Sequence, residues 1–379
     1  MPTSYKAHFA RFLGADPRRL HAAAHSHHPW PDVTFAAQQQ AWIDAATLQD
    51  DKWDRIFADV IPEAQRTIAR RLHLPDPTTI AFAPNTHELV ARVVSCLPTP
   101  ARVLTSDAEF HSFTRQVARW EEGGRATVQR VSSHPLDSFP ARFAEAAAAG
   151  GHDLVFVSQV LFDSGLVVGD ITTIVRAVPD DATFVVLDGY HGFMAVPTDL
   201  SAVADRAFYT AGGYKYAMAG EGVCFLHCPP GYGPRPVDTG WFAGFGDLVR
   251  GPAGRVAYTA DGGRFLGATF DPSGLYRFNA VQAWLDGLDV TVDSIHDHVA
   301  ALQDQLLTAI AGTWPAPVAR PHGHFLSFRL PDAAQVYGRL RAGGVTTDFR
   351  GNHLRVGLGL YHDADDAAEL GRRLVDAHG

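Results

Sequence analysis

One lysine, Lys215, stands in the stretch YTAGGYKYAMAGEG, flanked by Tyr214 and Tyr216 and otherwise by glycines and alanines. Surface lysines ordinarily sit among other charges, so this one reads as buried or closely approached by a ligand. Burial penalises the ammonium form and lowers the pKa towards the nucleophilic free amine. Asp188 ends the apolar run FVVL. A carboxylate there is costly to bury unless a cation or a proton donor faces it. Asn85, Thr86 and His87 follow TIAFAP and open a helix, whose free N–H groups and positive dipole end attract an anion. Phe110 and His111 follow RVLTSD and offer an aromatic face. Arg355 lies in HLRVGLGLY, too apolar a run for an idle guanidinium. Its planar fork suits a carboxylate.

The pattern that must position these residues begins near Thr79. Short apolar runs alternate with helical stretches: TIAFAP, RVLTSD, ATVQRVS, DLVFVSQV, TFVVLDGY, RAFYTAG and GVCFLHCP read as strands. Continuous apolar strands separated by helices predict a mostly parallel sheet covered on both faces. Ligands then bind beyond the carboxyl ends of the strands, where Asp188, Lys215, Phe110 and Thr86 fall. The expected organisation is an N-terminal helical segment over 1–75 packing on the small domain, a large α/β domain over 76–275, and a small C-terminal α/β domain over 276–379. AEAAAAGG reads as a turn.

Composition narrows the function. With 46% hydrophobic and 19% charged residues the chain is an ordinary globular one. A formal charge of -9 argues against nucleic-acid binding driven by phosphate neutralisation. Cys96, Cys224 and Cys228 are too few for a disulfide framework, and no run is apolar enough to predict a membrane span. The expectation is a cytoplasmic protein. His21, His25, His27 and His28 invite a metal, but no acidic or cysteine ligands accompany them. A polar or substrate-gating loop is the reading kept, and no metal is expected.

An anion cradle, an aromatic plate, a carboxylate and an isolated lysine on one rim are what pyridoxal 5'-phosphate requires. The cradle takes the phosphate, the aromatic stacks on the pyridine, the carboxylate keeps the ring nitrogen protonated, and the lysine forms the Schiff base. The order of motifs resembles the class V aminotransferase family of fold-type I pyridoxal-phosphate enzymes over roughly 79–361, and within it is most similar to kynureninases. NTHE resembles the first phosphate loop, which gives Thr86 and His87 to the phosphate. SDAEFHS resembles the segment supplying the stacking aromatic, Phe110. DGYH resembles Asp-x-Ala-His, assigning Asp188 to the ring nitrogen and His191 to the ring oxygen. GGYKY resembles Ser-Tyr-Lys-Tyr, assigning catalysis to Lys215 and Tyr214. TGW and GAT resemble segments that reach a partner's site, which implies Trp241 and Thr269 as cofactor contacts in a homodimer. HLRVGLGLY implies Arg355 as the carboxylate ligand of an amino-acid substrate.

SQVLFDSG has Gln159 where the family has histidine, and Tyr190 replaces a small residue. The GGYKY match implies a kynureninase-like hydrolase, with a class V transaminase as the alternative. A cysteine desulfurase needs a mobile thiol near the C-terminal substrate loop, and no cysteine follows Cys228. Neither PNTHE nor AGGYKYAMAGEG has the glycine spacing of a nucleotide-binding loop. Arg264 reads equally as an anion contact or a surface residue.

Overall fold

The computed structural model describes residues 4–231, 233–247 and 255–378. In chain order the strands of its central sheet are β1 (Ile80–Ala83), β2 (Ala101–Ser106), β3 (Ala126–Val131), β4 (Leu154–Ser158), β5 (Phe184–Asp188), β6 (Ala207–Gly212) and β7 (Cys224–His227). They lie side by side as β1-β7-β6-β5-β4-β2-β3. Only β7 opposes its neighbours; the other pairings are parallel. All of β4 is buried, as is the centre of β5. That is why these runs are apolar without alternation.

The helices between the strands cover both faces. Helix α1 (Thr86–Val94) buries Leu89, Val90 and Val93, and the Asn85 side chain caps it by accepting from the Glu88 N–H. Helix α2 is His111–Glu122. AEAAAAGG is not a turn: its alanines close helix α3 (Phe139–Ala148). Phe139, Phe143 and Ala147 supply one buried face at helical spacing and alanine is the best helix former. Only Gly150 and Gly151, both with positive φ, make the turn.

Two further helices, Val33–Leu48 and Ile61–Arg71, pack against Ser273–Gly287. Ile56, Val60, Ile61, Ala64 and Ile68 share a core with Val155, Val157, Val185 and Leu187 of the sheet. A second core lies under the antiparallel strands β8 (Phe325–Arg329), β9 (Asp348–Arg350) and β10 (His353–Gly357). The chain from Leu20 enters this part first: Leu20 and His21 pair in parallel with Val345 and Thr346. His25 and His28 then pack onto Gly357 and Gly359, where a Cβ would collide with their rings. No described helix is long and apolar enough to cross a membrane.

Candidate cofactor site

The carboxyl ends of β1, β2, β4, β5 and β6 open on one cavity of about 450 Å³, lined by Asn85, Thr86, His87, Phe110, Ser158, Phe162, Asp188, Tyr190, His191, Tyr214, Lys215 and Cys224 among others. Its size is that of a small-molecule site, about 300–1,000 Å³. Register explains the convergence. Ser158 pairs with Asp188, Asp188 with Thr210, and Gly212 with Cys224. Lys215 therefore emerges beside Asp188 within three residues of the end of β6.

Lys215 is 5% exposed, and its Nζ is 2.7 Å from His191 Nε2. Burial lowers its pKa to about 7, against the opposing pull of the Asp188 charge. Burial, and then the Lys215 charge, hold His191 well below its ordinary value. The rings of Phe110, Tyr190 and Tyr214 lie 5.5, 5.0 and 5.7 Å from Lys215 Nζ. Among the described residues the Asp188 carboxylate accepts one hydrogen bond, from the Tyr190 N–H at 2.9 Å. Burial raises its pKa; that N–H and the Lys215 charge only partly offset it. A half-buried carboxylate with so few partners among the described residues suits a cationic group in the cavity. At the opposite rim, Asn85 takes the Glu88 N–H, which leaves the Thr86 and His87 N–H groups at the mouth of α1.

Of the residues singled out in the sequence, Thr86, His87, Phe110, Asp188, His191, Tyr214 and Lys215 share the cavity. Arg355 lies one layer behind it: its Nη1 donates to the Phe162 carbonyl oxygen. Trp241 and Thr269 do not line the cavity; Trp241 Nε1 donates to Thr269 Oγ1 at 3.2 Å. Arg264 also lies elsewhere, donating to the carbonyls of Asp261 and Ala260. Gln159 points away, donating to Thr198 Oγ1 and accepting from the Tyr209 hydroxyl. The Tyr190 hydroxyl is 3.4 Å from Cys224 Sγ. His25 and His28 are buried structural residues. Among the described residues no group of three or more His, Cys, Asp or Glu is placed to hold a metal.

Three partners escaped the sequence reading. Glu109 is buried, accepting from Ser106 Oγ at 2.6 Å and from the Ser158 N–H at 3.1 Å. Burial raises its pKa to about 7. It fixes the residue before Phe110 to the tips of β2 and β4. Asp348 pairs with Arg355 and with His25. Cys224 lines the cavity beside Tyr190. The adjacency of Glu109 to Phe110 was the one visible signal for the first.

A buried amine, a carboxylate, an aromatic and a helix N-terminus share one cavity at the ends of parallel strands, in the fold of a fold-type I pyridoxal-phosphate enzyme. The chain belongs to the aminotransferase class-V family, whose model matches residues 35–330; pyridoxal 5'-phosphate is its cofactor. An isopenicillin N epimerase of Streptomyces clavuligerus is 32% identical over 175 residues, a match covering 45% of this chain and 43% of the epimerase. The matched stretch is thus under half of that relative's length. Among solved structures, the cystine C-S lyase C-DES in complex with cysteine persulfide superposes with a TM-score of 0.78 at 18% identity, over 94% of this chain and 97% of that one. A C-DES variant with glycine covalently linked to its PLP cofactor gives 0.83 at 18% identity, over 99% and 100%. The cysteine desulfurase CsdA of Escherichia coli gives 0.75 at 17% identity, over 97% of each chain. At these identities the structures establish the fold.

Asp188→Asn tests the carboxylate. Asparagine keeps the size and the Tyr190 contact but loses the charge. The expected result is a turnover about 100-fold lower with cofactor still bound, measured as kcat at saturating cofactor.

Proposed function

We propose that this protein acts on an α-amino acid, takes the α-proton with Lys215 and then releases part of the side chain by hydrolysis, as a kynureninase-like enzyme. The observation that carries this reading is a buried Lys215 that shares one cavity with Tyr214. Bound pyridoxal phosphate supplies an aldehyde that condenses with primary amines and a ring that delocalises the electron pair left at the α-carbon. The residues that would hold it are Thr86 and His87 at the phosphate, Phe110 on the ring face, Asp188 at the ring nitrogen and His191 near the ring oxygen.

Lys215 then has two tasks. Its amine would hold the cofactor's aldehyde, and its free base would accept the α-proton. His191 holds Nζ in place by their 2.7 Å contact. Arg355 orients the substrate carboxylate. The Tyr214 phenol is pushed up to about 12, chiefly by burial, so at neutral pH it carries a proton to give. His27 stacks on it at 5.1 Å, which fixes its ring at the mouth. Phe110, Phe162 and Tyr190 make that mouth suitable for an aromatic substrate. A homodimer belongs to the same proposal, with Trp241 and Thr269 serving the partner's site.

Kynurenine is the first substrate to try. Release of anthranilate by the cofactor-loaded protein, lost in Tyr214→Phe with cofactor retained, is the expected result. Epimerisation is the second reading, favoured by the Streptomyces relative; it uses the same Lys215 step and returns a proton to the α-carbon. Deuterium entering the α-position in D2O with inversion, and no anthranilate, would transfer the assignment to it. Transamination, the remaining alternative, needs a 2-oxo acid as acceptor and would appear as its conversion to an amino acid.

A further inference from the structure

Behind the cavity, Arg355 is already partnered. Its Nε donates to Asp348 Oδ1 at 2.8 Å and its Nη2 to Asp348 Oδ2. With Nη1 on the Phe162 carbonyl, three of the five guanidinium N–H groups are committed. The pair is buried: the Arg355 side chain is 4% exposed and that of Asp348 15%. Asp348 is itself held in place. His25 Nε2 is 3.0 Å from Oδ1, and Arg350 Nη2 is 3.7 Å from Oδ2. The arrangement is built into the hairpin, because Asp348 and Arg355 are directly paired across β9 and β10.

We infer that Asp348 sets how much this enzyme gains from a substrate carboxylate, by neutralising Arg355 and filling one side of its fork. The inference rests on the proposed amino-acid reaction. One N–H remains on each terminal nitrogen of Arg355. A carboxylate reaching them meets a guanidinium whose charge is cancelled at contact distance by a fixed, buried anion. The second anion is repelled by Asp348, and like charges crowded at a desolvated site oppose binding strongly. The subsite then holds a free carboxylate little better than a neutral amide of the same shape. Asp348 is thus a specificity-determining residue acting through Arg355, and the substrate class extends to amino acids whose carboxyl group is masked as an amide.

The test compares L-alanine with L-alaninamide on the cofactor-loaded protein. The readout is the concentration of each that half-saturates its change in the visible absorption band, which needs no turnover. Wild type is expected to prefer alanine by no more than about tenfold, and Asp348→Asn to raise that preference by about tenfold or more. A wild-type preference of about 1,000-fold or more, as a free fork would give, overturns the inference without any variant. So does a fall in the preference on Asp348→Asn, since Asp348 would then only aim the guanidinium. A band that neither amine alters removes the amino-acid reading itself, and this inference with it. A band that both alter, with a ratio the variant leaves unchanged, removes this inference alone.

Discussion

Replacing Lys215 by alanine is expected to remove the lysine-dependent visible band of the cofactor-loaded protein and to lower turnover by about 10⁴-fold, the upper range for a positioned base. Absorption and single-turnover measurements check both. Pyridoxal phosphate should still bind, because Thr86, Asp188 and Phe110 remain. The stability should move the other way. In the folded protein Lys215 gives up its proton near pH 7, whereas in the unfolded chain it keeps it up to about 10.5. Between these values the unfolded chain binds more protons, so stability is lost as pH falls from 10.5 towards 7. Lys215→Met fills the same space without that penalty, and its melting temperature at pH 7 should exceed the wild type's by several degrees in the cofactor-free protein. A variant that melts lower, or that retains the band, would refute the account of Lys215 as a buried amine held ready for chemistry. Aldehyde labelling of the cofactor-free wild type gives an independent reading. Labelling should rise with pH through about 7 rather than with the exposed lysines near 10.5.

The strand-end residues were legible because the chemistry sits where apolar runs stop. Asp188 breaks FVVL, Lys215 follows a strand by way of two glycines, and Asn85 is a capping residue after TIAFAP. A parallel sheet sends every such ending to one rim, so separate short motifs could be joined without coordinates. What the sequence left open depended on side-chain direction. Gln159, next to Ser158 at the strand end, turns to the opposite side, so of the two departures from the family pattern it touches Tyr209 while Tyr190 lines the cavity. Glu109 could be placed beside Phe110, but its link to Ser158 joins positions 49 residues apart. Asp348 had a usable sign that went unread. Gly351 and Asn352 form a two-residue hairpin loop between Arg350 and His353, and such a loop fixes the register. Counting back from it sets Asp348 opposite Arg355. The alanine run is helical because Phe139, Phe143 and Ala147 give it a buried face at helical spacing.

Five buried histidines make the fold sensitive to acid, three of them (His21, His25 and His28) from the N-terminal cluster. His21 and His28 are lowered from 6.5 to about 3, and His25, His227 and His362 to about 4, each first of all by burial. They are neutral in the folded protein and take protons near 6.5 once unfolded. The unfolded chain therefore gains protons first as pH drops, and stability present above 6.5 is lost on the way to 4. Each group costs about 1.4 kcal/mol per pH unit, so five cost about 10 kcal/mol between pH 6.5 and 5. Glu109, raised to about 7, works in the opposite sense and returns about 2 kcal/mol over the same interval. The net loss from these six groups, about 8 kcal/mol, compares with about 5–15 kcal/mol for the whole stability of an ordinary protein. Four of the five lie at one seam. His362 Nε2 contacts the His21 carbonyl at 2.7 Å, His21 Nδ1 contacts the Tyr361 hydroxyl at 2.6 Å, His28 packs edge-on to Tyr361, and His25 holds Asp348. Acid should part the N-terminal segment from the tail of β10 first, and the Arg355 subsite should fail with it. The expected observation is cooperative loss of near-ultraviolet circular dichroism centred near pH 5. His362→Gln, which can keep both the Gly359 and the His21 contacts without titrating, should move that midpoint to lower pH. Native dichroism persisting to pH 4, or a midpoint the variant leaves in place, would show that these histidines are not what limits the fold in acid.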